Sequence, residues 1–195
     1  MSLAIIHTRI HVGIQAQPVS VEVHLANGLP AFSIVGLPEK AVQESRERVR
    51  AALTNSQFEF PSRRITVNLA PADLPKEGGG FDLPIAIGIL VASGQVSGNH
   101  IDDYEFIGEL ALSGKVRPAK GVVPVAIGCQ QADKQLIFPV DNQHEVSLLT
   151  NFTAYPCNHL LAVTAHLNKV ALLEVLKTSP PENLPTSQPD LSDIR

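Results

Sequence analysis

Residues 70–88 read APADLPKEGGGFDLPIAIG. Gly78, Gly79 and Gly80 follow Lys76 and Glu77 and lead straight into an apolar run. Glycine reaches positive φ and leaves its backbone N–H uncovered. Ahead of a helix, such a loop can cradle an anion or a developing oxyanion. The acids at 77 and 82 repel phosphate, and Lys76 offsets only one of them. The same residues suit a chain that merely turns sharply into a buried helix, and the flanking carboxylates favour that second reading.

A phosphate loop needs G-x-x-x-x-G-K-[ST], so that amides, lysine and hydroxyl surround phosphate and Mg²⁺. The nearest approach, GELALSGKV at Gly108–Val116, has one residue too many between its glycines and Val116 in place of the hydroxyl. Phosphate contact elsewhere asks only for positive charge within reach. Arg46 and Arg50 share a helix face by their spacing, with Arg48 to the side. Arg63 and Arg64 open the following strand, Arg9 and His11 lie near the N-terminus, and Lys115, Arg117 and Lys120 cluster around a turn. For Arg46 and Arg50 the competing reading is surface pairing with Glu39, Glu44 and Glu47. Ser113 and Lys115 are close, but a base lysine must be buried to shed its proton, and a turn lysine is solvated. His7 with His11, and His159 with His166, lack carboxylate or cysteine help at metal spacing, so no metal site is expected. Cys129 reads as core packing.

These residues must be held by alternating strands and helices. Leu3–Arg9, Val19–Leu25, Phe32–Val35 and the run RRITVNLA read as strands by their β-branched content and period of two. Asn27-Gly28 is a turn signal. LPEKAVQESRERVRAALTNSQF predicts one helix, with Pro38 in its first turn, Glu39 at its positive end and a stop at Asn55-Ser56. DLPIAIGILVASGQV is apolar nearly all round and predicts a buried helix with Asp82 as N-cap. EFIGELALSGKVRPAKG predicts a hairpin, GVVPVAIGCQQAD a helix, LIFP a strand, HEVSLL a short helix, NFTAYP a strand and HLLAVTAHLNKVALLEVL a closing helix. The expected class is α+β (mixed α/β) over residues 1–177. Residues 178–195, with four prolines, read as a linker.

With 195 residues, 44 % hydrophobic, the chain can bury a core. A net charge of -4 excludes a strongly basic domain but not a basic patch. Two cysteines without CxxC spacing, an early polar N-terminus and no apolar run of membrane-spanning length predict a cytoplasmic protein without membrane contact.

VGLPEKAVQESRERVRAAL, APADLPKEGG with DLPIAIGIL, and FIGELALSGKVRPAKGV, in this order, resemble the amino-terminal domain of the ComM/YifB family, the magnesium-chelatase-like AAA+ ATPases. The resemblance covers about residues 1–170. It implies a fold similar to the Lon protease domain, in the superfamily of the second domain of ribosomal protein S-five. Lon-like peptidases use a Ser–Lys pair; by this likeness the serine position falls on Gly80 and the lysine position on Val123, so neither reactive group is present. PDLSDIR resembles the lead-in to the family's ATPase module. The implied function is a non-catalytic accessory domain of a hexameric ATPase that drives DNA branch migration in natural transformation. Its partners would be DNA and its own copies, and ATP and Mg²⁺ would belong to the intact parent rather than to this stretch. The alternatives are a Lon-like peptidase with a displaced Ser–Lys site and a chelatase-type accessory domain.

Overall fold

A computed structural model describes residues 2–177. The first two strands, β1 (Ser2–Val12) and β2 (Gln15–Ala26), form a long antiparallel hairpin. Alternation sets its two faces: Ile6, Thr8 and Ile10 are buried with the cross-strand Val19, Val21 and Val23, while Leu3 and Ile5 stay exposed. On one side the hairpin continues into β4 (Arg64–Ala70), antiparallel to β2, and then β3 (Ala31–Val35), parallel to β4 at the sheet edge. On the other side lie β5 (Tyr104–Phe106), β8 (Gln135–Pro139) and β9 (Ala154–Cys157), all parallel to β1. The order is β3-β4-β2-β1-β5-β8-β9, with four of six neighbouring pairs parallel. A separate two-stranded ribbon pairs β6 (Glu109–Leu110) with β7 (Val116–Arg117), as the hairpin expectation requires.

Helices cover both faces. On one face sit α2 (Ser45–Asn55), α3 (Asp82–Ala92) and α6 (Leu160–Leu167); on the other sit α4 (Val122–Gln131) and α5 (Gln143–Val146). Strand β8 shows the division, since Ile137 joins the first core and Leu136 and Phe138 the second. Helix α3 is buried around most of its circumference and lies against β1 and β2. It comes so close that a Cβ at Gly88 would stand 2.5 Å from Val23 Cγ2 and 3.3 Å from Ile6 Cγ1. This is a mixed α/β domain.

Three local expectations are corrected. The single helix expected in residues 37–58, ending at Asn55-Ser56, is two, α1 (Lys40–Gln43) and α2, with the chain turning at Glu44, and Pro38 lies outside both. Arginine side chains take the carbonyls that a continuous helix would use: Arg48 Nη2 donates to Ala41 O at 3.1 Å and Arg46 Nε to Gln43 O at 3.2 Å. Asp82 does not cap α3; it is the helix's first residue and its carboxylate is spent on Arg48. The closing helix ends at Leu167, because Lys169 adopts φ 56° and the Val170 N–H turns back to Ala165 O. The proposed linker at 178–195 lies outside the described residues.

Candidate functional site

A cleft of about 560 Å³ opens where β1, the glycine loop and the β6–β7 ribbon meet. Gly78, Gly79 and Gly80 form one wall, Arg9 and His11 of β1 another, and Pro118–Lys120 the rim. The loop is pinned where it enters α3. The Asp82 N–H donates to Gly79 O, and the Gly108 N–H donates to Gly80 O at 3.0 Å. Gly80 faces Ile107 and Ala119, so the inner wall at that position is apolar.

Charge in the cleft is mainly negative. Glu39, Glu77 and Glu109 line it. The Glu109 carboxylate lies over Gly79, in the space a Cβ there would claim, so a larger residue at 79 would have to push that flexible side chain aside. Arg117 leans on the same carboxylate at 3.7 Å. Arg9 is not free: its guanidinium makes a two-pronged pair with Glu105 at 2.7 and 2.9 Å, both side chains largely buried. Lys120 reaches the rim.

Lys76, grouped with the glycines by sequence, stands apart from them. Its side chain is fully buried, outside the cleft lining, and the ammonium donates to the Pro71 carbonyl. Burial pushes its pKa down, opposed by the charge of Asp73. Its backbone ties the loop to the chain after β3, the Glu39 N–H donating to Lys76 O at 3.1 Å. The one deeply buried amine among the described residues therefore meets a carbonyl rather than a serine. Ser113 and Lys115 are both exposed on the ribbon turn, and the Ser113 carbonyl bonds His159 Nε2 at 3.1 Å. Val123 is half-buried on α4 and does not line the cleft.

The remaining candidates lie at the opposite ends of β3 and β4. Arg46, Arg50, Arg63 and Arg64 are exposed there. Arg46 Nη1 donates to Phe32 O at 3.4 Å, and Arg50 stacks 5.0 Å from the Phe60 ring centre. The structure thus divides the cationic candidates between two surfaces, with Lys115, Arg117 and Lys120 around the ribbon and the four arginines near Phe32 and Phe60.

The histidines are dispersed. His7 Nε2 meets Asp102 at 3.2 Å, and His11 lines the cleft. His159 Nδ1 accepts the Leu161 N–H as N-cap of α6. His166 is buried beside Tyr104. Among the described residues no group of three or more His, Cys, Asp or Glu side chains could hold a metal ion, and no helix is long and apolar enough to cross a membrane.

Sequence reasoning missed the pair Arg48–Asp82. Asp82 is fully buried, and its carboxylate accepts from Arg48 Nε at 2.6 Å, Arg48 Nη2 at 3.0 Å and the Leu110 N–H at 3.1 Å. It locks α2, α3 and the ribbon together beneath the cleft. Burial pushes the Asp82 carboxyl above its usual range, against hydrogen bonds from Arg48 and Ser45; the bond to Asp82 makes the guanidinium more basic. The partners are 34 residues apart, so spacing offered no signal.

Residues 21–142, which include the glycine loop and the ribbon, match the family described as subunit ChlI of Mg-chelatase, and the chain belongs to that family. Its similarity runs further in particular relatives. It is 50 % identical over 198 residues to competence protein ComM of Haemophilus influenzae and 46 % identical over 195 residues to YifB of Escherichia coli, in each case across all of this chain. A protein of Mycobacterium bovis is 34 % identical over 184 residues, 93 % of the chain. The chain spans 39 % of the ComM relative and 38 % of the YifB relative.

Proposed function

We propose that this chain is the accessory domain of a ComM-type ATPase, Lon-like in fold and without hydrolytic chemistry of its own, which contacts DNA and neighbouring copies of itself in the cytoplasm. One observation carries the reading. In a chain half identical to competence protein ComM, the cleft at the glycine loop is walled by Glu39, Glu77 and Glu109 and by apolar Ile107, and it includes Gly80, the position that the likeness to Lon peptidases assigns to the serine. A nucleophile requires an oxygen and a base to activate it. The buried amine nearby, Lys76, is committed to Pro71 O.

ATP and Mg²⁺ do not fit these residues. Lys115 stands on the turn between two two-residue strands, whereas a phosphate loop feeds its amides and lysine into a helix N-terminus. Nucleotide chemistry would therefore belong to another part of the parent protein.

The test combines three measurements on the purified chain: labelling by a fluorophosphonate serine probe, binding to labelled DNA across a salt series, and mass by light scattering. The expected result is no labelling, with DNA binding that weakens as salt rises. Labelling of a serine would remove the non-catalytic assignment. Undetectable DNA binding at low salt, by monomer and assembly alike, would remove DNA contact.

A further inference from the structure

Two of the four exposed arginines, Arg50 of α2 and Arg63 just before β4, line a small pocket that the cleft does not explain. It measures about 180 Å³ and is walled by Phe32, Arg50, Phe60, Ser62 and Arg63 together with the chain at Pro30–Ala31. No carboxylate contributes to this wall. The nearby acids in the chain are Glu44 at the turn between α1 and α2, Glu47 on α2 and Glu59 ahead of β4. Among the described residues, none of Arg46, Arg50, Arg63 and Arg64 forms a salt bridge. The two rings sit 5.9 Å apart, tilted by 43°, and the Arg50 guanidinium lies over the Phe60 face. Arg46 is anchored on Phe32 O, which fixes a second cation beside the first.

We infer that this pocket is a contact site for single-stranded nucleic acid, with Arg50, Arg63 and Ser62 meeting phosphate and the Arg50–Phe60 stack offering a plane to a base. The inference rests on the reading that the chain contacts DNA and assigns that contact to one surface. The chemistry favours a single strand. A guanidinium held over an aromatic ring pairs positive charge with a π surface, and base stacking on such platforms is tolerant of sequence. A pocket of this size admits one phosphate or the edge of one base, not a duplex groove. With an overall charge of -4, a pocket whose wall holds two arginines and no carboxylate is a place where a polyanion is less repelled. The rival cluster at the ribbon is less suitable, because Arg117 shares Glu109 and Lys120 stands on a rim with three carboxylates.

The experiment is fluorescence anisotropy of a labelled oligothymidine titrated with this chain across a salt series. Variants Arg50→Glu and Arg63→Glu are compared with the double variant Lys115→Glu/Arg117→Glu, and circular dichroism verifies the fold of each. Each patch variant should weaken binding about tenfold or more and lower the log–log salt slope by roughly 0.7 for each phosphate no longer neutralised. The ribbon variant should bind like the parent chain. An abasic strand should bind more weakly than oligothymidine, and thymidine monophosphate and inorganic phosphate should compete poorly. Parent-like binding by both patch variants, with the parent chain itself binding, would overturn this site while leaving DNA contact standing. Preference for a duplex, or equal binding of the abasic strand, would also overturn it. No binding by the parent chain would remove both this inference and the reading beneath it.

Discussion

Arg48 on α2 and Asp82 at the start of α3 form a two-pronged ion pair, at 2.6 and 3.0 Å, whose carboxylate is fully enclosed. The same carboxylate takes the Leu110 N–H, so one buried charge fixes two helices and the ribbon that closes the cleft. Removing only one partner of such a pair strands the other charge without solvent, which costs about 3–5 kcal/mol. Arg48→Met should therefore lower stability by that order in urea unfolding. The double variant Arg48→Met/Asp82→Leu should recover a good part of the loss despite leaving the Leu110 N–H unpaired. A single variant as stable as the parent chain would show that the pair does not hold the fold.

Gly88 faces the sheet where α3 crosses β1 and β2, and a Cβ there would press on Val23 and Ile6. Val23 is short, branched and buried in the sheet, so it has no room to swing aside. Gly88→Ala gains helix propensity of about 1 kcal/mol. It also overpacks the core at a cost of about 1–3 kcal/mol. The expected net effect is destabilisation in thermal or urea unfolding, against the sign that propensity alone predicts. A rise in stability would mean that the helix can lift from the sheet at no cost.

The sheet was readable because half-buried strands alternate: β2 and β4 carry the valine, isoleucine and leucine period of two that burial reproduces, whereas β1, with Leu3 and Ile5 exposed and Ala4 and Thr8 buried, was legible only by its composition. The break between α1 and α2 was not, since no glycine or proline marks it. It is made by Arg46 and Arg48 side chains taking backbone carbonyls, a choice decided by where Asp82 lies in three dimensions. The end of α6 was hidden for the same kind of reason. Apolar residues continue at helical spacing past Asn168, but tertiary bonds claim them: Leu173 N–H goes to His166 Nδ1 and Leu176 N–H to Ala154 O. At the cleft, the glycines were visible as a loop and Lys120 as part of a separate ribbon cluster, while the inward turn of Glu109 onto Gly79 was not, because it depends on a ribbon register that places Glu109 opposite Arg117.

Both cysteines are buried, and burial is the first cause raising their pKa, with Cys157 pushed up to about 12. The thiolate is the reactive form, so near pH 8 neither should react with an aromatic disulfide reagent in the folded state. Reaction of both should appear only in denaturant, at a rate that follows unfolding. Rapid labelling of the native chain would place at least one thiol outside the core.

His166 is a test of how the segment after α6 is held. Its Nδ1 accepts the Leu173 N–H at 3.0 Å, which leaves the proton on Nε2, 3.2 Å from the Tyr104 hydroxyl. The rings of Tyr104 and Tyr155 enclose it, with Gln135 bonded to Tyr155, and His100, Asp103 and Lys169 line the hollow alongside. Burial lowers the His166 pKa. The folded state therefore binds fewer protons than the unfolded chain through this group, so its contribution to stability is present above the ordinary histidine value of about 6.5 and is lost as pH falls through the lowered one. Protonation would also place a donor against the Leu173 N–H and release that bond. Unfolding midpoints should fall on acidification from pH 8 towards pH 5, and hydrogen exchange at Leu173 should accelerate in the same range. His166→Gln should flatten that part of the pH dependence. A His166→Gln variant with the parent's full acid sensitivity would assign the effect to other groups.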